Sequence, residues 1–386
     1  MKKLLIASYI IAGVFGVNAQ NSIILKSTTP QVSPTIAGGT SVLIGDGAGN
    51  SVQNSAANNV FVGFISGISN NTGSDNTFLG WGSGSNNTSG VYNTFIGRSA
   101  GSGNSTGSFN TYIGALTSEY CIGSDNVFLG FSSGRNSTTG SGNTFLGNSA
   151  GYDNLTGINN TIVGNGAGHS NGSGWNNTIV GFGAGGLIAN QASNSILGWF
   201  AGREAVGGGN VLLGEMAGFK AGSNNVLIGN HAGELAVGID HQLYIDNSST
   251  STPLIWGDFW NDQLKLNGKV GIGNVITFPT NPLYAHYKLF VSGGILTDEV
   301  RVRLSANGTW ADYVFEKDYA LKPLSEVESF IAENGHLPNV PSAAKIKENG
   351  IDVADMARIQ QEKIEELTLY IIEQNKRIEA LEAKIK

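Results

Sequence analysis

The chain has 386 residues, of which 56 are glycine and only 13% are charged, and its net charge is −7. An acidic chain without a basic patch is a poor candidate for nucleic-acid binding. The single cysteine, Cys121, excludes an intrachain disulfide framework, and we predict that it is a packed small residue rather than a reactive thiol.

Residues 1–19 are predicted to be a secretory signal peptide, followed by a linker over residues 20–36. Lys2 and Lys3 form a charged start, and a short apolar stretch leads to a cleavage site of small residues that ends at Ala19. This stretch and every later apolar run are too short to cross a bilayer as a helix. We therefore expect an exported protein, extracellular or at the cell surface, with no membrane-spanning segment in its mature form.

Residues 37–240 contain twelve copies of the motif Asn-Thr/Val-apolar-apolar-Gly-x-x-Ala/Ser-Gly. The first glycines of the copies, from Gly45 to Gly229, follow one another at intervals of 15 to 18 residues, most often 17. A period this constant indicates one structural unit stacked on itself. Because 17 residues are too few for a pair of helices but suffice for two short strands and two turns, the repeat predicts a parallel β-solenoid.

The motif also predicts how each coil packs. Since side chains alternate between faces along a strand, the threonine and the fourth residue share one face, and the asparagine and the third residue share the other. The third and fourth positions are both apolar, so we expect strands that are buried on both faces. A thin coil has only one interior, and the second apolar column therefore predicts identical chains packed side by side.

Glycine and asparagine positions predict the turns. The last glycine of each copy is expected where the chain turns with positive φ. The asparagines from Asn59 to Asn225 are predicted to form a ladder of side-chain amides between coils, with turn chemistry as the alternative. The copy at Asn110–Gly114 is followed by ALTSEYC instead of an Ala-Gly turn, which predicts a bulge or a small loop.

Beyond the repeat, residues 241–310 are predicted to be a β connector, and residues 311–350 a small α/β or helical segment. The connector has short runs of strand-forming residues separated by turn pairs, with further strands expected around Gly293-Gly294. The helix boundaries are signalled by Pro323, by the pair Asn334-Gly335, by Ser342 and by Asp352.

Residues 351–386 are predicted to form a coiled coil. Isoleucine recurs every seven residues from Ile364 to Ile385, and a second seam position follows three residues later in each heptad. Isoleucine at the first seam position with leucine at the second favours two helices, whereas the segment Arg377–Glu382 resembles the Arg-h-x-x-h-Glu signature of trimeric coiled coils. We predict a homotrimer. The predicted trimerisation residues are Ile364, Leu367, Ile371, Gln374, Arg377, Ile378, Leu381, Glu382 and Ile385.

Two parts of the chain resemble known families. The repeat over roughly Thr35–Asp240 is similar to the left-handed parallel β-roll head of trimeric autotransporter adhesins, with its Asn-x-apolar-x-Ile-Gly pattern. The segment Trp310–Ala343, with the helix that follows, resembles tail-fibre-type C-terminal segments of secreted Bacteroidetes proteins. These resemblances imply a mainly β, homotrimeric fibre with a β-solenoid head, a β connector and a helical tail.

One column of residues is a candidate binding surface. In several copies the residue after the first glycine is aromatic, and residues in adjacent coils should stack about 5 Å apart. Exposed aromatic ladders can stack on sugar rings or dock on proteins, while the alternative is that these rings fill an interface between chains. The candidate residues are Phe64, Trp81, Phe131, Phe182 and Trp199.

We expect no catalysis, no metal and no cofactor. The histidines are scattered and show no metal-ligand spacing, and the acidic residues of the repeat do not recur in register. The predicted function is therefore a fibre that binds a glycan or a surface protein as an adhesin. The alternatives are a β-helix enzyme acting on polysaccharide and an ice-binding solenoid. An ice-binding face would need exposed threonines, whereas alternation places them with an apolar column that is expected to be buried.

Overall fold

The computed structural model describes residues 23–25, 40–53, 55–274, 277–278, 280, 282–302 and 310–385. The predicted signal peptide lies outside the described residues, and the predicted linker is described only at residues 23–25. The chain forms two compact units, Met1–Ser292 and Gly293–Lys386.

The first unit is a parallel β-solenoid, as the repeat predicts. Each coil contributes a short strand that pairs in register with the strands of the coils before and after it. The parallel strands are β1 (Ile23–Leu25), β2 (Val42–Ile44), β3 (Val60–Val62), β4 (Thr77–Leu79), β5 (Thr94–Ile96), β6 (Thr111–Ile113), β7 (Val127–Leu129), β8 (Thr144–Leu146), β9 (Thr161–Val163), β10 (Thr178–Val180), β11 (Ser195–Leu197), β12 (Val211–Leu213), β13 (Val226–Ile228) and β14 (Gln242–Ile245).

The repeated coils contain one strand each, so the expectation of two strands per coil is wrong. In the coil that begins at Asn76, the backbone takes positive φ at Gly80, Gly82, Gly84 and Tyr92. Such left-handed turns are incompatible with an extended second strand. The rest of the coil is held by backbone hydrogen bonds to neighbouring coils, for example from Gly84 N to Ala100 O at 2.9 Å.

The end of the first unit contains antiparallel strands and a separate pair of parallel strands. Strand β14 pairs antiparallel with β15 (Ile255–Asp258), and β15 pairs antiparallel with β16 (Gln263–Leu266). Strands β17 (Val270–Ile272) and β18 (Leu289–Val291) form a separate parallel pair. The strand expected after Gly293-Gly294 is absent from the described residues 295–302.

The core of the solenoid is the column of third-position side chains. From Leu43 to Leu227 these side chains are buried, and the aromatic ones stack with ring centroids 4.5 to 5.0 Å apart. The fourth-position side chains point out of the coil, and Leu79 and Leu197 are about half exposed at 45% and 52%. Within one chain the strands are therefore buried on one face.

The threonines share the outward face with the fourth-position residues, as alternation predicts, but that face is not the core. Thr144, Thr161 and Thr178 are exposed at the outer surface of β8, β9 and β10. The expectation that they face the core is wrong, because an apolar column can belong to an outer surface as well as to an interior.

The predicted asparagine ladder is confirmed. The Asn143 side chain accepts a hydrogen bond from the backbone N–H of Asn160 at 2.9 Å and donates one to Gly157 O at 2.8 Å. The acceptor bond recurs in every coil from Asn59, which accepts from Asn76, to Asn225, which accepts from Gln242. These buried amides satisfy backbone groups at the corner where the chain enters each strand.

The copy at Asn110–Gly114 forms an ordinary coil, so the predicted bulge is wrong. Strand β6 pairs in register with both neighbours. Ser118 takes the glycine position with φ 51°, and Thr117 Oγ1 donates to Gly114 O and Gly130 O. Cys121 is buried in this coil, and burial raises the pKa of its thiol, as expected of a packed residue.

Substitution of Tyr112 by phenylalanine is predicted to stabilise the solenoid. Its side chain is fully buried between Phe95 and Phe128, and its hydroxyl has no hydrogen-bond partner. Because a buried unpaired hydroxyl is costly, Tyr112→Phe should raise the free energy of unfolding by about 1 kcal/mol in thermal denaturation. The reverse change, Phe95→Tyr, should lower it. A decrease for Tyr112→Phe would contradict this account and show that the hydroxyl is paired, with Ser118, Cys121 and Asn126 as the candidate partners.

The second unit is helical, with the predicted boundaries. Helix α1 (Leu324–Asn334) follows Pro323 and ends at Gly335, whose φ is 70°. Helix α2 (Ala343–Asn349) is capped by Ser342, whose hydroxyl accepts from Lys345 N at 3.4 Å. Helix α3 (Val353–Ile385) begins after Asp352, whose carboxylate accepts from Ala354 N and Asp355 N.

Helix α3 packs against its own unit through a polar cluster. Tyr313 and Asn339 donate hydrogen bonds to the Glu362 carboxylate, and Lys363 Nζ lies 2.9 Å from it. Burial alone would raise the pKa of Glu362, but these hydrogen bonds and the lysine outweigh it and hold the pKa below its usual value. The cluster ties α3 to the turn Ala311–Phe315.

Candidate binding surface

The five predicted aromatic residues lie on the surface of the solenoid. Each follows the first glycine of its coil and is about half exposed, between 46% and 51%. They do not form one continuous ladder, since Arg98 and Ala115 occupy the column after Trp81, and Asn148 and Asn165 occupy it before Phe182. The structure therefore divides them into two groups and an isolated Phe131.

Phe64 and Trp81 form the first group. Their rings are nearly parallel, at 14°, with centroids 6.4 Å apart, which is looser than the predicted spacing. The guanidinium of Arg98 lies 5.3 Å from the centroid of Trp81. In this part of the column the Trp81 ring therefore lies between the Phe64 ring and the Arg98 guanidinium.

Phe182 and Trp199 form the second group, although among the described residues their rings do not stack on each other as predicted. Both contact Phe200, with centroid distances of 5.4 Å to Phe182 and 4.1 Å to Trp199. The Arg203 guanidinium lies 4.3 Å above the Phe200 ring. A cavity of about 350 Å³ opens beside this group.

Sequence reasoning missed Phe200. It occupies the second position after the first glycine, where Gly47, Gly82 and Gly166 stand in other copies, and its φ is 52°. Ile65, Leu116 and Met216 hold the same position in their coils with the same left-handed backbone, so φ alone does not single out Phe200. Its ring is identified by its contacts with Phe182, Trp199 and Arg203.

A second exposed aromatic pair was also missed. Tyr92 and Phe109 immediately precede the asparagine of their coils, and their rings stack 5.3 Å apart. Both have left-handed backbone, with φ of 57° and 60°. They lie in a different column from Trp81, so the solenoid carries aromatic side chains along more than one edge.

The predicted trimerisation residues form an exposed stripe on α3. The seam isoleucines and leucines are between 53% and 85% exposed, and Gln374, Arg377 and Glu382 are exposed as well. The buried residues of α3 are Ile359, Glu362 and Glu365, which occupy the opposite side of the helix from the seam. Within the single chain, Arg377 pairs with Glu373 at 2.5 Å.

In the described part of the chain, no group of three or more His, Cys, Asp or Glu side chains could hold a metal ion. None of the described helices is long and apolar enough to cross a membrane.

Comparison of the chain with protein-family models, curated proteins and solved structures yields no significant match.

Proposed function

We propose that this chain is one subunit of an exported homotrimeric fibre, in which the solenoid is an adhesive head and α3 contributes to a coiled coil. The observation that carries the proposal is the pair of apolar surfaces that a single chain leaves exposed. One is the outer face of the parallel strands, and the other is the seam of α3. Both repeat along the chain, and identical neighbours in the same register would cover both.

The adhesive role is supported by the aromatic groups. Half-exposed rings beside an arginine, as at Trp81 and Arg98, offer exposed apolar ring surface and a hydrogen-bond donor together. That combination suits sugar rings and surface-protein side chains. The export of the fibre is proposed from the signal peptide predicted in residues 1–19.

A second candidate function, ice binding, is favoured by the exposed threonines. Thr144, Thr161 and Thr178 lie in register on adjacent parallel strands, which are about 4.8 Å apart. Because they share their face with the apolar fourth column, this face cannot both bind ice and be covered by a partner chain. Thermal hysteresis measured on the assembled protein would support this candidate, and its absence would exclude it.

The adhesive head is tested by replacing Trp81 and Trp199 with alanine in the full chain. Binding to a screen of glycans and matrix proteins should fall at least tenfold, while circular dichroism and assembled mass stay unchanged, because stacking uses the ring faces. Trp175→Ala is the matched control, since Trp175 is exposed to 49% but lies in another column.

Two results would contradict this role for the aromatic column. Dissociation or unfolding of the double variant would place the rings in an interface between chains. Full binding by a folded double variant would place the adhesive surface elsewhere on the solenoid.

A further inference from the structure

The cavity beside Phe200 arises from a local change in the repeat. It spans the coils whose first glycines are Gly164, Gly181 and Gly198. Five residues after the first glycine, the other copies carry a side chain, among them Ser85, Ser102 and Arg135, whereas the middle coil of the cavity has Gly186. The position is thus vacant in one coil of the column.

Gly186 is not required by the backbone. Its φ is not positive, in contrast to Gly183 and Gly185 in the same coil, where φ is 60° and 53°. A Cβ at Gly186 would lie 3.2 Å from Gly183 O and 3.6 Å from Arg203 Cγ. The distance to Arg203 Cγ is an ordinary van der Waals contact, so neither the backbone nor the arginine stem requires glycine here, and the missing side chain leaves open space beside Arg203.

At Gly183, by contrast, the position of the Phe200 ring excludes a side chain. A Cβ there would lie only 2.1 Å from the Phe200 ring, so the ring crosses the coil directly above this glycine. At Gly166, in the coil that precedes Gly183 in the chain, nothing lies within 4 Å of a Cβ position. Phe200 and Arg203 therefore lie over the coil that contains Gly183, and the coil that contains Gly166 forms the open floor of the cavity.

The side chains around this floor combine aromatic, cationic and amide groups. Phe182 and Phe200 supply apolar rings, with the Arg203 guanidinium over one face of Phe200, while Asn165 supplies an amide and His169 an imidazole. Arg203 forms no ion pair within the described residues, whereas nearby Glu204 pairs with Lys220 at 3.4 Å and Asp153 lies 3.9 Å from His169. Arg203 is therefore the cation left available to a ligand, and its fork of donors matches a carboxylate.

We propose that this cavity binds one acidic sugar residue of the uronic-acid type. The sugar ring packs on Phe182 and Phe200, its carboxylate accepts hydrogen bonds from Arg203, and its hydroxyls meet Asn165 and His169. A volume of about 350 Å³ is near the lower end for ligand pockets and suits a single ring. The proposal rests on the adhesive function above and names the class of glycan recognised.

The test compares methyl β-D-glucuronide with methyl β-D-glucoside, which differ in the carboxylate, by calorimetry on the full chain at neutral pH. We expect the glucuronide to bind at least tenfold more tightly. Arg203→Gln should remove this preference, and Gly186→Leu, whose side chain would fill the open space beside Arg203, should weaken glucuronide binding at least tenfold. Arg135→Gln is the matched control, because Arg135 occupies the same column but is paired with Glu119 at 2.7 Å.

The outcomes separate this proposal from the adhesive function. Equal binding of the two glycosides, or unchanged glucuronide binding by both folded variants, would overturn the assignment of the cavity. If glycan binding nevertheless depends on Trp81, the adhesive head stands without it. If the wild-type chain binds no glycan or surface protein, the adhesive function fails and this proposal fails with it.

Discussion

Gly130→Ala is expected to cost more than about 4 kcal/mol of folding free energy, enough to prevent the solenoid from accumulating in a folded state. The φ of Gly130 is 139°, a region that is essentially closed to residues with a side chain. An added Cβ would also lie 2.3 Å from Gly147 O in the next coil. Because that oxygen belongs to the backbone, the clash can be relieved only if the two coils separate and the hydrogen bonds between their strands break.

Gly166→Ala is the matched control for this prediction. Gly166 also has positive φ, at 64°, but no atom lies within 4 Å of its Cβ position. Its substitution should lower the free energy of unfolding by only about 1 to 2 kcal/mol, the strain of a left-handed residue that carries a side chain. Thermal unfolding followed by circular dichroism measures both variants. Equal melting temperatures would show that close approach between coils is not what requires the glycine at 130.

The double substitution Ile371→Asp and Ile378→Asp is expected to abolish the proposed trimer. In a single chain these side chains are 64% and 53% exposed, so the change spares the packing of the second unit. In a three-helix seam it would bury six carboxylates near the axis, each costing several kcal/mol without a partner. Sedimentation should give three times the chain mass for the wild type and a smaller mass, with reduced helicity, for the variant.

Ile372→Asp controls for the chemistry of the substitution. Ile372 is adjacent in sequence and 45% exposed, but it lies outside the two seam positions. The assembled mass should therefore be retained. A wild-type monomer at micromolar concentration would refute the trimer, and a double variant with unchanged mass and melting would refute the seam.

The repeat made the fold predictable because each column of the motif occupies one environment. The apolar third position, the asparagine and the closing position with positive φ each have a single structural role that recurs from coil to coil. Apolar character alone does not distinguish an inner column from an outer one, and the threonine face was misassigned for that reason. The expectation of two strands failed because positive φ at residues such as Tyr92 and Ser99 is not visible in the residue type.

The candidate site was only partly predictable. The aromatic column was found because five of its members share one position in the motif. Gly186 was missed because it departs from its own column, and Phe200 was missed because its column holds residues of many types. A search for the shared pattern passes over both. In a repetitive chain the conserved positions specify the stack, whereas the individual exceptions are where a cavity can form.

The asparagine ladder gives the solenoid a direction. Each side-chain oxygen accepts from the backbone N–H at the start of the next strand, and each amide donates to a backbone oxygen later in the chain, as Asn143 does with Asn160 and Gly157. Some amides also donate to the preceding asparagine, as Asn143 does to Asn126 at 3.2 Å. The hydrogen bonds of each coil can therefore form as soon as the next coil has been synthesised, before the C-terminal coils exist. Adding or removing whole coils leaves only the final asparagine in need of a partner, and in this chain Gln242 and Ile239 supply it to Asn225. The length of the solenoid can consequently change in steps of one coil while the contacts between coils stay the same.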